Sequence, residues 1–574
     1  MFQLARRIDT ASHAGDTRRV HRLQQLLLKS PAAKLLAGRR VTQANPGKNT
    51  AGIAGSKALT PHQRWALAAQ LGPLPTGSPP RRGWIPKPGK DDKRPLSIPT
   101  RHDRALQALV KLVLDPAWEA RCEPHSYGFR PGRAVHDALG AIFSALEQQP
   151  KYALDADIAT CFDRIDHHAL RRKLTTFPTL NRLVKAWLQA GVLANNVCTD
   201  TPSGPPQGGV ASPLLANSAV HGLEAFLRAQ FPARTRRNPA HPGRQLPWQP
   251  QVIRYADDLV ILPRARTVIE QCRHLPQGWL RDSGLELSEQ KTRTAPTLAK
   301  VAGAAGCNFL GFQGRQYRAS KDTTARGRGC KTLIRPSKEA VKRHWATLSA
   351  VISQHKAAQQ AHLLGILHPS IAGWANYSRA VGSTKPLHLL AHRLDEQRRR
   401  WAFFRHPRKS RRWASQRYWA TTPGNSWACR DSNGPTLNQP TRVPMVRHVK
   451  VPGQASPYDG NGSYGAARRG TYPGGARRRA ALLQKQAGPC EACGRFFKPE
   501  DLLELHHRDG NRSDNRSSNL AAVHRHGHDQ RHGGLHALSQ QGGTHDKRPL
   551  NCGAVGRESG MHGFEDQRGE RSPR

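Results

Sequence analysis

The chain is 574 residues long, with 90 Lys and Arg against 40 Asp and Glu, a formal net charge of +50 and a pI near 11.2. That length calls for several domains rather than one core, and so much like charge repels itself unless a polyanion offsets it. Ten scattered cysteines with one CxxC pair, Cys490 and Cys493, exclude a disulfide framework and indicate a reducing interior, and no apolar run is long enough to span a bilayer. The basic residues run along the whole chain, which favours an extended nucleic-acid surface over a membrane-facing patch.

Residues 1–75 read as helical. "MFQLARRIDTASHAGDTRRVHRLQQLL" is an amphipathic basic helix pattern rather than a signal peptide, with Leu23, Leu26 and Leu27 at helical spacing. "GSPPRRG" (77–83) breaks the pattern, and "WIPKPGKDDKRPLSIPT" (84–100) reads as two short strands about a turn at Pro88-Gly89. Helical periodicity returns in "RALQALVKLVLDPAWEA". "KYALDADIATCFDRID" is a strand running into a helix, and "GPPQGGVASPLLANSAVHGLEAFL" is a Gly/Pro loop followed by a helix. The strand "QVIRYADDLVILP" (251–263) comes next, then a basic, largely helical region over about 336–420. Gly, Pro, Asn and Arg dominate 421–480, which reads as a linker or a poorly ordered nucleic-acid-contacting segment. Residues 485–535 gather the CxxC pair and a histidine cluster, and the tail after 536 is too polar to fold.

Asp257 and Asp258 stand side by side among strand-forming apolar residues, and burying carboxylates without partners is costly. Two Mg²⁺ ions about 3.5–4 Å apart can clamp the attacking and leaving oxygens of a phosphoryl transfer, and Mg²⁺ takes hard oxygen ligands. A turn at Ala256-Asp257-Asp258 presents carboxylates at a hairpin tip. Alternation puts Asp155 and Asp157 on one face of a neighbouring strand, and either would complete the site. Solvated aspartates on a surface hairpin are the bland alternative; the apolar flanks argue against it. Downstream, His524, His526, His528 and His532 crowd together, and His528 and His532, at i and i+4, share one helical face and suit a divalent metal.

Here the residues resemble a known family. "RYADDLVI" resembles the active-site motif of reverse transcriptases, "ALDADIATCFDRIDH" the preceding motif, "SGPPQGGVASPLLAN" its PQG loop, "GLELSEQKTR" the motif after the active site and "FLGF" the last palm motif. "WIPKPGKDDKRPLSIPT…SYGFRPGRAVHDAL" is similar to the fingers of group II intron-encoded reverse transcriptases. "HPSIAGWANYSR" and "WAFFRHPRKSRRWASQRYW" are similar to their thumb or maturase domain, domain X. "CEACGRFFKPEDLLELHHRDGNRSDNRSSNLAAVHRHGHDQRH" resembles the HNH endonuclease domain that many of them carry.

The resemblance implies a multidomain α/β fold: right-hand polymerase fingers and palm, an α-helical thumb (domain X) and a small ββα-metal HNH domain. The corresponding divisions are 1–75, a basic helical region; 76–325, fingers and palm; 326–420, thumb; 421–484, a basic linker and candidate DNA-binding segment; 485–535, HNH-like; and 536–574, a disordered tail. It makes Asp157, Asp257 and Asp258 the Mg²⁺ ligands, selecting Asp157 because Phe162 follows five residues later. Phe162 would underlie the incoming sugar and favour dNTPs, Gln207 and Gly208 would line the template and nucleotide pocket, Arg94 and Lys87 would hold the triphosphate, and Lys291 would attend the leaving pyrophosphate. Ala54 stands where the family commonly has an aspartate. In the nuclease, His506, His528 and His532 would hold a divalent metal, His507 would activate water and Asn519 would orient it. Cys490, Cys493 and His524 form a candidate structural Zn²⁺ site; Gly527 occupies the family's last cysteine position, which leaves His526 as the fourth candidate.

The basic helix around 395–419 carries Arg398, Arg399, Arg400, Arg405, Arg408, Lys409, Arg411 and Arg412 beside Trp401, Phe403, Phe404 and Trp413. Arginines contact phosphates and aromatics stack on unpaired bases, so this surface is expected to grip intron RNA. The expected protein copies RNA into DNA, assists splicing as a maturase and supports intron mobility by nicking target DNA, working as a ribonucleoprotein in a bacterial cytoplasm or organellar interior, away from membranes. The rivals are a non-catalytic RNA-binding splicing factor and the reverse transcriptase of another element such as a retron. The intact aspartates oppose the first; the domain X-like and HNH-like stretches oppose the second.

Overall fold

The computed structural model describes residues 1–528, apart from 54, 56–58, 73–76, 87–91, 148, 232–235, 239–240, 247–248, 302–304, 320–328, 423–424, 430–439, 463, 466–467, 469–476, 498–500, 502, 512 and 526. Ala54, Lys87, the Pro88-Gly89 turn, His526, His532 and the 536–574 tail therefore lie outside the described residues.

The N-terminal region forms helices Phe2–His13, Thr17–Lys29, Pro31–Arg39 and Pro61–Gln70. Asp16 caps the second by accepting the Arg19 N–H at 2.9 Å, and Thr60 with Gln63 forms a capping box on the fourth. Leu23 and Leu27, four apart, are buried, whereas Leu26 is 52% exposed, because a 3.6-residue turn carries it off the shared face. The first three helices pack on Arg101–Arg121, which is buried along most of its length.

Strands Arg81–Pro86 and Lys93–Ile98 pair antiparallel and extend to Val192–Ala194 and Val197–Thr199 in one sheet. The central sheet runs Arg293–Pro296, Tyr152–Asp157, Asp258–Leu262, Gln251–Tyr255, antiparallel throughout. Its two faces enter different cores. Leu154, Ala156, Leu259 and Ile261 join the helical core, while Ala153, Ile253, Val260 and Leu262 pack with the helix Val135–Leu146 and the strand Phe312–Arg318. A sheet covered on both sides needs near-continuous apolar strands, hence "LVIL" with no polar alternation.

Cys307–Phe309, Phe312–Arg318 and Cys330–Pro336 form a further sheet. Phe312–Arg318 and Cys330–Pro336, on either side of the division expected at 325/326, pair with one another. Helices Lys338–Gln354, Gln360–Ser378, Thr384–Arg405 and Arg411–Tyr418 follow, packed about Leu348, Leu364, Leu367, Leu390, Leu394 and Trp401.

Part of the expected linker is seated on the folded chain. Val446 N–H donates to the Arg379 carbonyl at 3.0 Å. Fully buried Asp137 accepts from the Val451 N–H at 2.8 Å and pairs with His448 at 2.9 Å and with Arg468. Arg133 donates to the Gly453 carbonyl at 2.7 Å, and Ser456 Oγ to buried Asp9 at 3.0 Å. Composition suggests a loose tether here; the order comes from polar contacts with Arg379 and with Asp137, Arg133 and Asp9, the last three more than 300 positions away. Helix Arg477–Lys485 and the hairpin Leu503–His507/Leu520–His524 form a last small core with Leu482, Leu483, Cys490 and Phe497. Among the described residues no helix is long and apolar enough to cross a membrane.

Candidate active site

Asp157 ends its strand directly opposite Asp258, which opens the next. Tyr255 is the other partner of Asp258, so the hairpin turns on Ala256 and Asp257 alone. Ala256 has φ 57°, a left-handed conformation that a non-glycine residue keeps only where its surroundings hold it. The Asp257 carbonyl accepts the Ile158 N–H at 3.0 Å, and the buried Arg254 guanidinium donates to the Ala256 carbonyl at 3.2 Å. Gly128 lies so close that a Cβ there would sit 2.3 Å from the Ala256 nitrogen; only glycine fits.

The three aspartates are half-buried. Burial, reinforced by Asp257 and Asp157, pushes the Asp258 carboxyl up to about 7. Burial also raises Asp257, with Asp157 adding to the shift and Lys291 and Arg94 opposing it. Lys291 Nζ lies 2.9 Å from Asp157 Oδ2. Clustered oxygen donors that disfavour one another's charge fit a hard divalent cation, which needs such ligands and relieves their repulsion. Asp155, two residues back, accepts the Asn308 N–H at 3.0 Å, and burial lifts its carboxyl to about 6. Of the two aspartates that alternation left open, Asp157 faces the hairpin turn residue for residue.

Phe162, half-buried on the short helix Cys161–Arg164, meets Phe129 edge-on at 6.0 Å. The Gln207 carbonyl accepts the Ser97 N–H at 2.6 Å. Gly208, φ +109°, packs where a Cβ would stand 2.7 Å from the Ser97 carbonyl. The PQG loop is thus seated on the Lys93–Ile98 strand, from which exposed Arg94 acts on Asp257 and Asp163. Sequence reasoning missed Arg254, Asn217 and Gly128 around the turn. Arg254 had a signal: it is a charged residue beside the apolar Val252-Ile253 pair of a covered strand.

In the C-terminal unit the possible donor atoms of Cys490, Cys493 and His524 lie within 4.8 Å of one another. Cys493 Sγ is 3.3 Å from His524 Nδ1, while His524 Nε2 meets Asp501 at 3.1 Å. Two sulfurs and an imidazole nitrogen suit Zn²⁺, with Asp501 fixing the ring as a carboxylate behind the ligand. A Cβ on Gly527 would stand 2.8 Å from the Ala492 Cβ, so a cysteine there would crowd the CxxC turn. His506 and His528 meet edge-on at 5.6 Å, and Glu504, two residues before His506, pairs with His528 at 3.2 Å. His507 Nε2 has no hydrogen-bond partner among the described residues. Asn519 closes the intervening loop, accepting from the Asp509 N–H and donating to the Asp514 carbonyl.

On the basic helices Arg408, Lys409, Arg411 and Arg412 are exposed. Arg405 departs from expectation: its guanidinium donates to the Ala357 and Ala358 carbonyls and lies over Trp401 at 5.2 Å. Arg398 is buried and bonded to the Leu394 carbonyl and Asp395. Both lie on the face turned to neighbouring helices, so they serve packing, and the free cationic surface is smaller than the count of arginines suggests. Trp401 is core, whereas Phe404 is 62% exposed.

Comparison with known proteins agrees with this geometry. Residues 85–314 match the family "Reverse transcriptase (RNA-dependent DNA polymerase)", and residues 1–71 match the "N-terminal domain of reverse transcriptase". The chain therefore carries a reverse transcriptase domain. Residues 341–419 match the "Group II intron, maturase-specific domain", so the chain pairs a reverse transcriptase domain with a group II intron maturase domain. Protein YkfC of Escherichia coli is 29% identical over 329 residues, 51% of this chain and 84% of that protein. Group II intron-encoded protein LtrA of Lactococcus lactis is 39% identical over 153 residues, 26% of this chain and 25% of its own length. Maturase-like protein 1 of Euglena gracilis is 27% identical over 239 residues, 39% of this chain and 49% of that one.

Proposed function

We propose that the chain copies RNA into DNA at the Asp157–Asp257–Asp258 cluster and binds its intron RNA through the maturase-specific region. The observation that carries this reading is the pairing of Asp157 with Asp258 on neighbouring strands, with Asp257 in the two-residue turn that leads into Asp258. These three residues would hold Mg²⁺, which when bound stabilises charge on the attacking and leaving oxygens. Phe162 would lie under the sugar and exclude a 2′-hydroxyl, Arg94 would draw in the triphosphate, and the Gln207-Gly208 backbone would flank the base pair being formed. Lys291 would leave Asp157 to attend the departing pyrophosphate. The sheets and their helices correspond on this reading to fingers and palm, and the helices after Ser337 to a thumb.

The C-terminal unit is proposed as an HNH-type nuclease that nicks target DNA. Cys490, Cys493 and His524 would hold structural Zn²⁺, His506 and His528 (with His532) the catalytic metal, while His507 would activate water and Asn519 hold its loop. The hairpin leading into a helical turn at Arg525 supports it. The deciding experiment is RNA-templated primer extension with Mg²⁺ and dNTPs, comparing the parent with Asp257→Ala. Extension should vanish in the variant. A folded, RNA-binding parent that fails to extend would favour the non-catalytic splicing factor instead.

A further inference from the structure

Arg254 is 3% exposed, and no carboxylate lies within ion-pair distance of it among the described residues. Its backbone is clamped to the segment beside it: its N–H donates to the His125 carbonyl and its carbonyl accepts the Tyr127 N–H, both at 2.9 Å. Its Nη1 donates to Asn217 Oδ1 at 3.0 Å and to the Ala256 carbonyl at 3.2 Å. Asn217 Nδ2 in turn donates to the Gly128 carbonyl at 2.7 Å, and Gly128 is the residue whose α-carbon abuts Ala256. Arg254, Asn217 and Gly128 thus enclose the turn in one bonded ring. Arg254 Nη2 has no hydrogen-bond partner among the described residues.

A buried cation bonded only to neutral oxygens, with donors left over and its charge offset only through space by Glu123, destabilises the fold. An apolar residue would suit the same position in a covered strand. We infer that Arg254, locked in place by Asn217, is a positioning residue that holds the left-handed Ala256 turn and so sets Asp257 and Asp258 against Asp157. This rests on the polymerase reading. Asn217 comes from the helix Ser212–Val220, which directly follows the PQG loop, so the brace also ties the nucleotide-side loop to the metal-side hairpin.

The test uses the full chain on an RNA template with a DNA primer, comparing parent, Arg254→Met, Arg254→Lys and Asn217→Ala. Folding is checked by thermal unfolding and by template affinity. The Met and Asn217→Ala variants should bind template and keep the dNTP KM, yet lose about 10–100-fold in kcat, the scale on which small misplacements act. Their half-maximal Mg²⁺ concentration should rise. Lysine, which can still donate to the Ala256 carbonyl, should restore part of both. Folded variants with the parent's kcat and Mg²⁺ midpoint would overturn the assignment. If Arg254→Met does not fold, Asn217→Ala decides alone, because it breaks the brace from the far side without removing the charge. If the parent itself does not extend, the polymerase reading falls, and calorimetric Mn²⁺ binding then decides Arg254: weaker binding in the variants supports it, and equal binding overturns it.

Discussion

Asp258 combines function with local instability. Its folded carboxyl titrates near 7 against about 3.9 in an unfolded chain. Between those values the folded chain binds the extra proton, so without divalent ions stability falls as pH rises through that window. Asp258→Asn removes the penalty. It should raise the metal-free Tm at pH 7 by roughly 2–4 °C, the effect of about 1 kcal/mol in a domain of this size after solvent screening. The difference should close at pH 4 and abolish extension throughout; thermal scans at both pH values with EDTA check it. Phe162 makes the complementary case for specificity. Phe162→Val should relax the preference for dNTPs over NTPs by about 10–200-fold, the range a steric contact of this kind supplies, read by competing nucleotides in primer extension.

At the scale of elements, the fully buried Asp137 carboxylate meets His448, Val451 and Arg468 and is the most heavily bonded anchor of the segment from Val446 to Arg468. Burial alone would raise Asp137, but the His448 bond and the Arg468 charge outweigh it and hold the carboxyl low. A depressed carboxyl contributes stability that is present above its unfolded value and is lost only as pH falls through the folded one. Asp137→Ala leaves the Arg468 guanidinium and the His448 and Val451 N–H groups without their acceptor and should destabilise by about 3–5 kcal/mol. The first consequence should be protease cutting within 446–468 while the central sheet stays resistant, seen by limited proteolysis with mass mapping. If the variant and the parent are cut alike, the segment is not held by Asp137.

For the whole molecule, a net charge of +50 makes binding to RNA strongly salt-dependent, each phosphate contact adding about 0.7 to the slope of log K against log salt. Replacing Arg408, Lys409, Arg411 and Arg412 together by alanine should flatten that slope by roughly 3, measured by filter binding from low to high salt. Arg405→Ala should leave the slope alone and instead lower the Tm, because its guanidinium ties the Thr384–Arg405 helix to the loop at Ala357. The two results separate RNA contact from packing within one run of basic residues.

How much of this was legible beforehand follows from the range of the forces involved. Alternation and apolar run length are local, and they marked Asp257 and Asp258 within a strand, the Lys93–Ile98 hairpin and the helices after 336. Motif order pointed to Phe162, Gln207 and Gly208 and to the reverse transcriptase and maturase domains. Asp155 and Asp157 share a strand face, so alternation alone does not separate them; the family motif favours Asp157, and strand register and the Asn308 bond distinguish the two in the fold. Likewise Asp137 and Arg405 look like ordinary charges in the chain and acquire their roles from partners far away in sequence. The sequence by itself determined the composition of the proposed metal cluster and the segments that carry it, because side-chain chemistry and periodicity are properties of neighbours along the chain. Only the tertiary structure decided how the carboxylates face one another across the strands, what holds the hairpin turn and which arginines remain on the surface, because those depend on burial and on hydrogen bonds between segments that meet only after folding.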